Sequence, residues 1–147
     1  MRAQASAEYI MIVGFITFAI IGVLALAYIY ITSATDSISQ NDLGNMINKI
    51  ISTSEYVYYS GAPALATIVV YAPAGIENIA QEEFTSDGRT YHNLRVDYYT
   101  SSGTNTRIFS SNVKIILPPD IDRLKSKGAK QLKISAVSDG AEISFAS

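Results

Sequence analysis

The chain has 147 residues, with 11 Lys and Arg against 13 Asp and Glu, a net charge of −2, one histidine and no cysteine. That length accommodates one ordinary domain, and a near-neutral charge without a face-sized basic cluster argues against a nucleic-acid partner. The missing cysteines exclude disulfides, thiolate metal ligands and cysteine nucleophiles.

The first predicted element is a long apolar helix. Between Tyr9 and Ile31 there is no charged side chain, and Thr17 is the one clearly polar residue. These 23 residues rise about 34 Å as an α-helix, enough to cross a hydrocarbon core of about 30 Å. Thirteen of them are Ile, Leu, Val or Phe, and at about −0.3 to −0.6 kcal/mol each they sum to roughly −4 to −8 kcal/mol in favour of insertion. Tyr9 at one end, and Tyr28 and Tyr30 at the other, are amphipathic rings suited to the membrane–water boundary. Arg2 precedes the run while Asp36 and Asp42 follow it, so the bias of positive charge puts the N-terminus on the cytoplasmic side.

Such a segment has three fates. Ala25-Leu26-Ala27 fits the small-residue pattern of a cleaved secretory signal, but the apolar run is longer than such a signal needs and continues past that point. A plain single-pass anchor is the second fate. The third is suggested by Gln4-Ala5-Ser6-Ala7-Glu8-Tyr9, which directly precedes the run.

This stretch resembles the class III signal of archaeal type IV-like pilins, whose pattern is Gln-x-Ser-x-Glu-Tyr after a very short leader. The resemblance is carried by Gln4, Ser6, Glu8 and Tyr9 and extends over residues 4–31. It implies a leader of residues 1–3 and cleavage between Ala3 and Gln4 by a class III prepilin peptidase. It further implies a hydrophobic membrane and filament-core helix over 4–31, and a homopolymeric extracellular filament built with a pilus assembly ATPase and a membrane platform. The resemblance also implies that cleavage makes Glu8 the fifth residue of the mature chain, where it is expected to pair with the Gln4 amine exposed on a neighbour. A carboxylate at the lip of an apolar helix is costly to bury unpaired. Its bland alternative is a place in the headgroup region, favoured by the positive end of the helix. Helix-to-helix assembly is expected to use Glu8, Gly14, Phe15, Phe18, Gly22 and Leu26. Gly14, Ala19, Gly22, Ala25 and Ala27 are small enough for close backbone approach.

Beyond a polar stretch at Thr32–Gln40, apolar residues return at Leu43, Met46, Ile47, Ile50, Ile51, Val57 and Tyr58. Their spacings of three, four and seven trace one helical face, and Gly61-Ala62-Pro63 stops it. The spacing predicts an amphipathic continuation over 32–60, with a kink or looser turn near 33–44 left open by Gly44 and the Ser/Thr content. Residues 64–147 then read as a β-rich exterior domain. Strands are predicted at Leu65–Tyr71, Glu77–Thr85, Tyr91–Thr100, Arg107–Ser110 and Asn112–Leu117, followed by a helical turn at Asp120–Lys127. Asp87-Gly88 and Asp139-Gly140 are hairpin turns, the second placing Ile134 opposite Phe145 and Ala136 opposite Ile143. The expected fold class is α+β: a long N-terminal helix packed against one antiparallel sheet of five to seven strands, the lollipop shape of type IV pilins.

The sequence offers little chemistry. His92 shares a predicted strand face with Leu94, Val96 and Tyr98, which suits a structural role. Asp120 with Asp122, and Glu82 with Glu83, lack EF-hand spacing. No phosphate loop, nucleophile elbow or helical His-Glu pair occurs, so no enzyme activity, metal or cofactor is expected. None of the seven Asn residues starts an Asn-x-Ser/Thr triplet, so any sugar is expected on Ser or Thr. The function expected is therefore a major pilin that serves surface adhesion. The alternatives are a membrane-anchored exterior binding domain, a minor pilin, or an archaellin, the last disfavoured because archaellins resemble one another in an uncharged mature N-terminus.

Overall fold

Among the described residues, one α-helix, α1 (Arg2–Ser60), is followed by seven strands and one short 3₁₀ helix. The computed structural model describes the backbone of residues 2–146 and the side chains of residues 7–146 other than Arg89. The chain is α+β and divides into two compact units, residues 1–37 and 38–147.

In the first unit every described side chain from Ala7 to Ile31 is exposed. Helix formation here owes nothing to tertiary packing. It rests on the propensity of Ile, Leu, Met and Ala and on the local satisfaction of polar groups. Thr17 Oγ1 donates to the Val13 carbonyl at 2.8 Å, which satisfies the one hydroxyl in the interior of the apolar run. The same i−4 back-bond recurs just beyond it, from Thr32 to Tyr28 at 3.1 Å, Thr35 to Ile31 at 2.9 Å and Ser37 to Ser33 at 3.0 Å. Thr32, Ser33, Thr35, Asp36, Ser37 and Ser39 are poor helix formers. At about 0.5 kcal/mol each, they cost roughly 3 kcal/mol relative to alanine. The helix nevertheless runs through them without interruption.

In the second unit α1 buries the predicted stripe. Leu43, Met46, Ile47, Ile50, Ile51 and Val57 are all under a tenth exposed, and Tyr58 is half-buried against them. Ser54 completes the stripe at an apolar position. It is fully buried and its Oγ has no hydrogen-bond partner. Gly44 is also on the buried side, yet a methyl there would meet only Arg107 Nη1, at an ordinary 3.6 Å. Gly44→Ala is therefore expected to stabilise this unit by about 1 kcal/mol through helix propensity alone, read as a higher unfolding midpoint of the full chain in detergent.

The strands form two sheets, where the sequence suggests one. The first has the order β1-β6-β7-β5 and comprises β1 (Leu65–Ala72), β6 (Gly128–Val137), β7 (Gly140–Phe145) and the two-residue β5 (Ile115–Ile116). The second has the order β2-β3-β4 and comprises β2 (Ile76–Ser86), β3 (Arg89–Thr100) and β4 (Gly103–Ser111). Val70, Leu132, Ile134 and Ile143 from the first, and Ile79, Leu94, Val96 and Phe109 from the second, join the α1 stripe in one core. The predicted strand at Asn112–Leu117 shrinks to β5, which pairs parallel with β7, so the sheet is mixed. The predicted helical turn is the 3₁₀ segment Ile121–Lys125, whose Leu124 is buried.

Turn chemistry explains one hairpin and misleads on the other. Asp87 and Gly88 have φ of 52° and 72° between paired Ser86 and Arg89, the left-handed pair that a two-residue turn of matching twist requires. At the last hairpin, however, Val137 pairs with Gly140, so the loop residues are Ser138 and Asp139. Ile134 then faces Ile143, Ala136 faces Ala141 and Phe145 faces Leu132. That is two residues away from the expected register. A slip of two preserves which face each side chain occupies, so Ile134 and Ile143 are buried while Lys133 and Glu142 remain exposed.

The outer face of the second sheet carries a charged network. Arg95 bridges Glu82 at 2.8 Å and Asp97 at 3.2 Å, and Thr106 Oγ1 donates to Asp97 Oδ1 at 2.7 Å. The Thr106 hydroxyl, helped by Arg95 and Asn78, holds the Asp97 carboxyl below its ordinary value against the opposing effect of burial. A depressed folded-state value means that this contribution to stability is present above about pH 4 and is lost as pH falls through the folded value. Asp97→Asn is expected to flatten the acid limb of the stability profile, measured as unfolding midpoint against pH between 6 and about 2.

Candidate functional site

The residues expected to matter lie at the start of α1. The backbone of the Ala3–Gln4 junction is part of α1, whereas the side chains of Ala3, Gln4 and Ser6 lie outside those described. The backbone from Arg2 is helical, and Glu8 and Tyr9 are both exposed, Tyr9 by 69%. Among the described residues Glu8 has no partner of opposite charge. In hydrocarbon, an acid at the centre of such a helix costs about 2.5 to 3.5 kcal/mol, so its place at the lip of the apolar run is the cheaper one.

Helical geometry relates the six expected assembly residues. At about 100° per residue, Glu8, Gly14, Phe15, Phe18, Gly22 and Leu26 fall within an arc of roughly 120°, with Glu8 and Leu26 one above the other. The bulky members of this arc are almost bare, Phe15 at 73%, Phe18 at 75% and Leu26 at 70% exposed. The rest of the circumference is equally apolar, so hydropathy alone does not single out the arc. What distinguishes it is the pair of glycines. A methyl group built on Gly14 or on Gly22 meets nothing within 4 Å. Each glycine costs the helix about 1 kcal/mol relative to alanine, and the chain itself contains no steric reason for either.

Beside this arc is a concavity that the sequence reading does not single out. A groove of about 320 Å³ is lined by Phe15, Ile16, Ala19, Ile20, Val23 and Leu24, without a polar group. Ile16, Ala19, Ile20 and Val23 stand at i, i+3, i+4 and i+7, the four-residue hole into which a side chain of another helix inserts. The signal was present in the sequence as a small residue, Ala19, flanked at helical spacing by large ones.

Among the described residues, no three His, Asp or Glu side chains come close enough to hold a metal ion. His92 is half-buried, with Nδ1 at 3.4 Å from Glu83 Oε1. Lys114 spans Glu83 at 3.5 Å and Asp139 at 2.9 Å, tying the β6–β7 turn to the other sheet. Lys125 pairs with Asp122, and Arg123 with Asp120 at 3.2 Å.

By length and composition, α1 is able to cross a membrane, and none of its most apolar window is buried within the chain. Comparison with protein-family models, with curated proteins and with solved structures finds no match.

Proposed function

We propose that this chain is the structural subunit of a type IV-like pilus, held in the membrane by α1 as a precursor and polymerised through the same helix into an extracellular fibre for surface adhesion. The observation that carries this reading is the fully exposed, uncharged helix surface from Tyr9 to Ile31, which directly follows Gln4-x-Ser6-x-Glu8-Tyr9. An apolar surface of this kind needs lipid or other helices around it. The class III prepilin peptidase releases residues 1–3, and the assembly ATPase and platform add each subunit to the fibre. Lipid is as apolar as a neighbouring helix, so transfer between them gains little from the hydrophobic effect. Packing at Gly14, Gly22 and the Ala19 hole, together with pairing of Glu8 to the Gln4 amine of a neighbour, supplies the bias.

A second reading rests on the membrane-spanning length of the helix: a monomeric single-pass anchor carrying an exterior binding domain. Mass spectrometry of the native N-terminus and electron microscopy of the cell surface separate the two. Subunits that start at Gln4 and lie within fibres are expected for the pilus. A start at Met1, with the chain dispersed in the membrane, belongs to the anchor and overturns the pilus.

A further inference from the structure

Helix α1 contains a second start signal in its interior. The residues Ser37-Ile38-Ser39-Gln40 have the Ser-x-x-Gln pattern of a capping box. In that arrangement a serine side chain accepts from the backbone N–H three residues on, and the glutamine reaches back to the serine N–H. The apolar stripe begins just after it, at Leu43, as expected of a sequence that opens a new helix. In the continuous helix this signal is unused, because Ser37 Oγ instead donates backwards to the Ser33 carbonyl. The boundary between the two compact units falls between Ser37 and Ile38, so the unused cap and the division of the chain coincide.

We infer that α1 is a two-state element: one continuous helix, or two helices separated by an unwound turn at Ser33–Asp36, with Ser37 as N-cap and Gln40 as its capping-box partner. Three observations support the second state. The segment Thr32–Gln40 consists mainly of residues that compete for backbone hydrogen bonds in non-helical conformations. The hydroxyls of Thr32 and Thr35 already bond to the carbonyls of Tyr28 and Ile31, which gives those acceptors a partner other than the i−4 amides. The first fully buried side chain of the helix is Leu43, so unwinding before it uncovers no core residue. Opening here therefore has a free energy well below that of global unfolding, as in other segments with little buried apolar contact.

Hydrogen exchange of the full chain in lipid nanodiscs tests this. The amides of residues 33–40 are expected to exchange at least about tenfold faster than those of 14–28 and of 43–58, a difference of about 1.4 kcal/mol in opening. Ser37→Ala removes the cap and is expected to slow exchange at 33–40. Ser39→Ala gives the same gain in helix propensity without touching the cap, and is expected to slow exchange less. Uniform protection along α1 overturns the two-state element. Equal slowing by the two alanines overturns the role of Ser37. Neither result bears on whether the chain forms fibres.

Discussion

If the chain assembles as proposed, Gly22→Leu should reduce the yield of fibres at least about tenfold, while leaving the level of chain in the membrane and the unfolding of the second unit unchanged. Within one chain the substitution is benign. The helix has open space at this position, and leucine is the better helix former by about 0.8 kcal/mol. In a fibre the same side chain meets a neighbouring helix packed at 8 to 10 Å between axes, where forced extra volume costs about 1 to 3 kcal/mol per contact. A loss of about 1.4 kcal/mol per subunit addition is a factor of ten in its equilibrium. Gly22→Ala, with one added carbon, should fall between the wild type and leucine. Fibre counts by electron microscopy against membrane immunoblots decide the matter. Normal fibres with leucine at position 22 would remove this face from the assembly surface.

The second large effect lies in the unit of residues 38–147. Gly140→Ala is expected to destabilise it by about 3 kcal/mol, among the larger effects of a single substitution. A methyl at this position would collide with the Lys114 carbonyl, a backbone atom that cannot rotate away. That carbonyl accepts the Ala141 N–H at 2.9 Å, and this bond holds β5 beside β7. The clash thus forces apart the parallel pair Ile115–Ala141, both of whose side chains are fully buried. Denaturant unfolding of the full chain in detergent measures the loss. An unchanged midpoint would mean that the loop before β5 yields without cost.

The same glycine shows why part of the fold is legible in the sequence and part is not. Asp87-Gly88 is read correctly because both residues serve only the local turn, and the left-handed conformations they supply are visible in residue types. Asp139-Gly140 looks the same but is not, since Gly140 serves a close approach by a segment 26 positions upstream, beyond what a short window can see. The α1 stripe is legible because a period of three to four residues survives any tertiary context, although Ser54 interrupts it chemically while obeying it geometrically. The division into two sheets is not legible. Each strand announces itself by its own Val, Ile, Tyr and Thr, whereas the choice of partner is made by the core that Leu43, Ile47 and Val57 provide. At the candidate site the sequence marks Glu8, Gly14 and Gly22, but the absence of any intramolecular use for the glycines is visible only in three dimensions.

The back-bond of Thr17 has a consequence for how such a rod changes its surroundings. Because its hydroxyl hydrogen is already committed to the Val13 carbonyl, the interior of the stretch, from Ile10 to Ala27, brings no unspent side-chain donor to whatever encloses it, and the hydroxyls of Tyr9, Tyr28 and Tyr30 sit towards its two ends. In the proposed transfer from lipid to fibre, that interior has no side-chain bond to unmake on leaving or to find on arrival, so shape and the groups at the two ends of the rod govern the step.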